Sequence, residues 1–431
     1  MSKALSRSYL VMLLGGLVAC AASAEDLVEF VSGAKARGTV KEIRKADKEF
    51  DIEIQLGGRG LVRTYTFDKV LAVTIKGKRY VLNKKGQESS ASGEVVAGKL
   101  RTRAQVTELI NTVGRTPPDW FDATPLDYPK TLELDWPLKP PKKGWNNQKN
   151  VGQYKWDIIN PNPGRWRSGV RLIHKTISLH KAQPELLRRD MKALGEMYFE
   201  LFQDYPRAAF WHRRAKVQLP APQSIHLAEC YWRLGNKPMA LEILNARRLP
   251  MNAVKLLGDM GQTDRAAKLA TSFGRSYPDR AHEPYLLAGD ACRLAGRYEQ
   301  AIDFYEQVLG LSQARNENYQ KIHVGRAKDS IAAIELFDKA DVSQVADGAY
   351  RAASTGYNGA VEIEVRVAGG KIEDVRVTKH REKQFYAALT DTPNRILKKQ
   401  SVQHIDATSR ATITSQAIVN ATAKALSKGS P

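Results

Sequence analysis

Cysteine is scarce, with three among 431 residues. Cys20 falls in the amino-terminal segment, which leaves Cys230 and Cys292, both in helix-like surroundings. A disulfide-stapled scaffold is excluded, so stability must rest on hydrophobic cores, and the two thiols read as buried structural residues. No CxxC, HExxH or glycine-rich phosphate loop occurs. The eight histidines are dispersed, and His174 and His180, six apart, do not share a helix face. A protein-built metal site is therefore not expected. Beyond the first two dozen residues no stretch approaches 18 consecutive apolar residues, so no membrane-spanning helix is expected. Acidic residues are in the minority, 46 against 67 Lys and Arg, for a net charge of +21. Such an excess attracts anions of any kind. Because it is scattered, with no block of five or six like charges, it does not indicate a nucleic-acid arm.

The composition that remains is globular: 42% hydrophobic, 26% charged, and long enough for about three domains. Residues 1–24 read as an export signal, with Lys3 and Arg7 ahead of the apolar run Leu10 to Val18 and a small-residue cleavage site at Ala22-Ser23-Ala24. Leu17-Val18-Ala19-Cys20 also resembles a bacterial lipobox, which makes Cys20 a candidate lipidation site. Both readings stay open. Either one places the mature protein outside the cytoplasm, in the periplasm or cell envelope, with or without a lipid anchor to the membrane.

Residues 25–85 alternate with the two-residue period of strands. Phe50, Ile52, Ile54 and Leu56 are interleaved with Asp51, Glu53 and Gln55, a Gly57-Gly58-Arg59-Gly60 turn follows, and further short strands end near Leu82. The pattern predicts a small antiparallel β-barrel similar to Src-homology-type modules. Residues 86–170 hold nine of the 19 prolines and five of the seven tryptophans: Trp120, Trp136, Trp145, Trp156 and Trp166. Prolines forbid long helices, yet linkers have no use for indoles. An ordered, irregular connector packed on its neighbour is expected, with an aromatic groove for sugar or peptide as the alternative.

From 171 to 338 the period becomes helical. Tyr285-Leu286-Leu287-Ala288, Leu294-Ala295-Gly296-Arg297-Tyr298 and Ala301-Ile302-Asp303-Phe304-Tyr305 resemble the tetratricopeptide pattern. Weaker copies stand at Ile225–Leu241 and Met260–Ala267. Ala288, Gly296 and Ala301 are read as the small residues that let two helices approach. The resemblance implies a helical solenoid whose concave face binds a partner protein.

Residues 341–428 read as an α+β unit. A hairpin runs through Val361–Val367 and Ile372–Val377, short helices are expected at Lys383–Leu389 and Pro393–Lys399, and a last helix is capped near Ser415. Before that helix stands Asp406-Ala407-Thr408-Ser409-Arg410-Ala411-Thr412-Ile413-Thr414-Ser415. It is similar to the attachment signature of the FMN-binding domain family, Asp-x-x-(Ser/Thr)-Gly-Ala-Thr followed by x-Thr-Ser. Asp347-Gly348-Ala349-Tyr350, Gly356-Tyr357-Asn358-Gly359, Gly369-Gly370-Lys371-Ile372 and His380 add to the likeness. The family includes flavin-carrying subunits of ion-pumping oxidoreductases.

The resemblance implies that Thr412 carries FMN through a phosphodiester installed by a flavin transferase from FAD. Asp406 would orient the loop or meet the transferase's magnesium, with Ser409 and Ala411 completing the motif and Thr414 and Ser415 offering hydroxyls. A hydroxyl opening a helix places phosphate at free N–H groups and the positive end of the dipole. Arg410 replaces the family glycine, and it either hinders attachment or pairs with the phosphate. Covalent FMN, non-covalent FMN and a flavin-free fold remain alternatives. The chain is thus expected to be multidomain, with an N-terminal barrel, a tetratricopeptide-like solenoid and a C-terminal FMN-binding domain. Its expected role is an extracytoplasmic electron carrier meeting redox partner proteins, with no nucleic acid and no stand-alone catalytic set. The rivals are an envelope scaffold with a vestigial flavin fold and a wall-polymer binder.

Overall fold

The computed structural model describes residues 26–30, 35–44, 48–56, 59–67, 70–75, 78–81, 100–136, 146–312, 314, 316–382 and 386–431. They fall into two compact units, divided between Ala91 and Ser92. The export segment with Cys20, the Gly57-Gly58 turn, Trp145 with Pro137, Pro140 and Pro141, and the helix start placed at Lys383 lie outside the described residues.

The first unit is a sheet of β1 (Asp26–Phe30), β2 (Lys35–Arg44), β3 (Glu49–Leu56), β4 (Arg59–Thr66), β5 (Val70–Ile75) and β6 (Lys78–Val81). Neighbours pair antiparallel in the order β4-β3-β2-β1-β5-β6. Strand alternation places Phe50 and Ile52 in a core with Val28, Val70 and Val73. On the opposite face Asp51 and Glu53 pair with Arg44 and Lys41. The expected barrel is corrected to an open sheet: among the described residues the edge strands β4 and β6 do not pair. Closure needs edge strands that match along their length, and the four residues of β6 face eight in β4.

The second unit opens with α1 (Arg103–Thr112), started by a Thr102–Gln105 capping box, and continues through α2 (Val151–Tyr154). Three indoles of this proline-rich stretch are anchored on the helical region that follows, whereas Trp156 is exposed. Trp120 stacks on Phe202 at 5.4 Å, Trp166 meets the same ring edge-on at 5.8 Å, and Trp136 Nε1 donates to Asp190 Oδ1 at 2.5 Å.

The helical array comprises α3 (Trp166–Leu179), α4 (Pro184–Glu200), α5 (Tyr205–Arg214), α6 (Gln223–Arg233), α7 (Lys237–Leu244), α8 (Ala253–Asp259), α9 (Thr263–Ser276), α10 (His282–Leu294), α11 (Tyr298–Leu309) and α12 (Glu317–Glu335). Helices α6, α8 and α10 end alike: Gly235, Gly261 and Gly296 take φ of 91°, 75° and 74° two residues past the helix, and the next helix begins at once. Glycine adopts this left-handed cap without the Cβ penalty. Gly296 is therefore a helix terminator rather than the contact residue expected, whereas Ala288 and Ala301 are fully buried.

The C-terminal sheet is β7 (Gly348–Thr355), β8 (Ala360–Ala368) and β9 (Lys371–Lys379), antiparallel and in chain order. The hairpin read from alternation is β8–β9, and β7, built of small residues, adds a strand that alternation did not announce. One helix, α13 (Ala388–Lys399), stands where two were expected, with Pro393 inside it. The last helix, α14 (Thr412–Leu426), starts three residues before Ser415 and crosses β7 and β8. Helices α10 and α12 grip it: Arg293 Nη1 donates to Asn420 Oδ1 at 2.6 Å, Asn420 Nδ2 reaches Ser330 Oγ at 3.2 Å, and Lys424 pairs with Asp329. Helical array and C-terminal sheet share one hydrophobic core.

Candidate functional site

Residues 406–411 carry the chain from α13 into α14 and lie against the inner side of the helical array. Asp406 is held from two directions: Arg233 of α6 donates to Oδ2 at 2.8 Å, and Arg395 of α13 holds Oδ1. Lys255 of α8 donates to the Ala407 carbonyl at 3.1 Å. The Ser409 hydroxyl donates to Glu229 of α6 and sits 3.2 Å from the Tyr205 hydroxyl. Thr408 donates to Asp391 Oδ2 at 2.6 Å. These contacts span sequence separations of up to 204 residues, so the loop takes its shape from tertiary structure.

Arg410 has φ 64°, the left-handed region, which answers why the motif favours glycine at this step. A side chain there costs about 1–2 kcal/mol. Arg410 Nε donates to Glu200 Oε1 of α4 at 2.8 Å, and a hydrogen bond between charged groups contributes about 1.5–3 kcal/mol, reduced on the solvent side. The two terms are of similar size, so arginine is tolerated. Its Nε is engaged by Glu200, whereas its side chain remains partly exposed.

Thr412 is the first residue of α14 and is half-buried. Its backbone N–H and those of Ile413 and Thr414 open the helix and have no intrahelical acceptor. Ala411, the buried N-cap residue, offers no side-chain cap. The remaining hydroxyls face inward. Thr414 donates to Glu382, whose other oxygen accepts from the N–H groups of Tyr357 and Asn358 at 2.9 and 3.2 Å. Ser415 Oγ accepts from the Thr408 N–H and the Thr392 hydroxyl, both at 3.0 Å. The expectation that Thr414 and Ser415 present hydroxyls to a phosphate is corrected, because an earlier helix start puts both on the buried side. His380 lies apart from the loop, edge-on to Tyr386 at 5.7 Å.

The electrostatics fit a rigid loop. Burial raises the Asp406 carboxyl, but Arg233 and Arg395 outweigh it and hold it well below the ordinary range. Burial likewise raises Glu229 while Lys255 and Arg233 lower it further. Asp259, although paired with Lys255, is lifted to about 6 by burial. Asp406 thus has both oxygens engaged by arginine. No group of three or more side chains able to hold a metal occurs among the described residues.

Beside Thr412 lies a cavity of about 10 Å³ lined in part by Lys255, Asp259, Asp290, Asp406 and Gln416. That volume holds one water. The N–H groups that open α14 and the positive end of its dipole would favour a phosphate at this position. Sequence reasoning missed Glu200, Glu229, Arg233, Lys255 and Arg395, which do most of the positioning. The available sign was the spacing of Glu229–Arg233 and Lys255–Asp259, charges four apart on otherwise apolar helices.

With this geometry, residues 356–427 match the model of the FMN-binding domain family. The C-terminal part of the chain is a flavin mononucleotide module and FMN is its cofactor. The chain is also 32% identical over 133 residues to an uncharacterized protein of Treponema pallidum (strain Nichols), an overlap of 30% of this chain and 35% of that protein. The chain thus spans about a third of the length of the curated relative it matches. No solved structure matches the chain.

Proposed function

We propose that the protein is an exported flavoprotein that carries FMN on Thr412 and passes electrons between partner proteins outside the cytoplasm. The observation that carries this reading is selective availability. Of the hydroxyls at 408, 409, 412, 414 and 415, those of Thr408, Ser409, Thr414 and Ser415 are buried and bonded, whereas Thr412 is half-exposed at the opening of α14. Attachment from FAD forms the Thr412 Oγ1–phosphorus bond, breaks the pyrophosphate bond and releases AMP and the hydroxyl proton, with no change of oxidation state. The bound flavin supplies reversible electron transfer. Asp406, Ser409 and Thr408 fix the loop, and the N–H groups opening α14 favour the phosphate charge.

Localisation follows from the export signal, with a mature chain starting at Glu25 or at a lipidated Cys20; no described helix is long and apolar enough to cross a membrane. The inner sides of α6, α8, α10 and α12 hold the C-terminal module, so a docked partner protein would use another face of the tetratricopeptide-like array. Co-expression with a flavin transferase, followed by intact-mass analysis, tests the proposal. An FMN adduct absent in Thr412→Ala and kept in Thr414→Ala supports it. A colourless, unmodified wild-type protein would refute it in favour of an envelope scaffold.

A further inference from the structure

A left-handed arginine at the centre of the loop requires something to keep it there. Arg410 has φ 64°, the largest positive value among the described non-glycine residues, and its neighbours Ser409 and Ala411 are buried, so its backbone cannot relax independently. Glu200, buried at the last turn of α4 and 210 residues away in sequence, accepts from Arg410 Nε at 2.8 Å. A buried carboxylate is costly without a cation, and an arginine in this backbone state is costly without an anchor. Each residue therefore makes sense through the other.

We propose that Glu200 is the positioning residue of the attachment loop: its carboxylate fixes Arg410 in the left-handed conformation and so sets where α14 begins and Thr412 faces. The inference rests on the proposed role of Thr412 for its functional meaning, while the coupling itself stands on geometry. The groups around Glu200 are Arg410, Glu196 and Lys155. Burial and Glu196 raise its carboxyl, against Arg410 and Lys155.

The pair predicts reciprocal rescue. In the full-length protein, Glu200→Gln removes the anchor and speeds hydrogen exchange of the bonded Thr408, Ala411 and Ser415 amides about tenfold, the loss of one charge-assisted bond. Arg410→Gly relieves the backbone but strands a buried carboxylate, so this variant loses stability as pH rises above about 4.3, where the unfolded Glu ionises and the folded one resists. The double variant Glu200→Gln/Arg410→Gly has neither defect, and its exchange rates and pH profile return to within about twofold of wild type. Additive effects in the double variant, or a pH profile of Arg410→Gly parallel to wild type, would overturn the proposal. FMN adduct measured on the same four proteins separates the two claims. If no variant, wild type included, gains an adduct while the rescue holds, Glu200 keeps its positioning role and the Thr412 reading alone fails.

Discussion

The Asp406 anchor offers the most quantitative test of how the loop is held. The side chains of Arg233 and Asp406 are 8% and 12% exposed, so replacing Asp406 by asparagine leaves a buried guanidinium short of a counter-charge. Removing one member of a buried pair costs about 3–5 kcal/mol. Arg233 retains Glu229 at 3.5 Å and Asp259 at 3.8 Å, and Arg395 retains Asp391 at 2.8 Å. These residual partners place Asp406→Asn near the lower end, about 3 kcal/mol. All seven tryptophans fall between Ser92 and Pro431, so indole fluorescence during urea unfolding reports this unit alone. The sign with pH is also set. Asp406 titrates below its unfolded value when folded, so its ionisation stabilises the fold. That contribution is complete above about 4 and is lost as pH falls through the folded value. The gap between wild type and Asp406→Asn should be level from pH 7 to about 4.5 and narrow on further acidification. A loss below about 1 kcal/mol, or a gap that does not narrow in acid, would refute the reasoning.

Two further outcomes are expected. A Cβ at Gly289 would stand 2.5 Å from the Tyr305 ring, which is buried and donates to Asp290, so Gly289→Ala should cost about 1–3 kcal/mol in a thermal melt; an unchanged melting temperature contradicts the packing of α10 on α11. Burial raises both thiols, Cys292 to about 11, so neither Cys230 nor Cys292 should be alkylated by iodoacetamide at pH 8 until urea is added, as read by peptide mass mapping.

Much of the local structure was legible because it depends on near neighbours. The alternation at Phe50–Ile52 and Val361–Val367 determined strands, and the run from Asp406 to Ser415 pointed to the flavin module, whereas the role of Gly296 as a helix stop emerged only from its left-handed backbone. Boundaries were harder to read: Ser415 has the chemistry of a cap, yet its hydroxyl serves Thr408 and Thr392, and the helix begins at Thr412. What sequence alone could not decide was everything set by distant partners. Glu200, Glu229, Arg233 and Lys255 look like charges on a solvated helix face until the fold brings that face against the loop. Whether a sheet closes depends in the same way on which edges meet in space. Periodicity records which side of an element is apolar; which element lies opposite is settled only when the whole chain packs, and in this protein that packing determines how the loop before α14 is held.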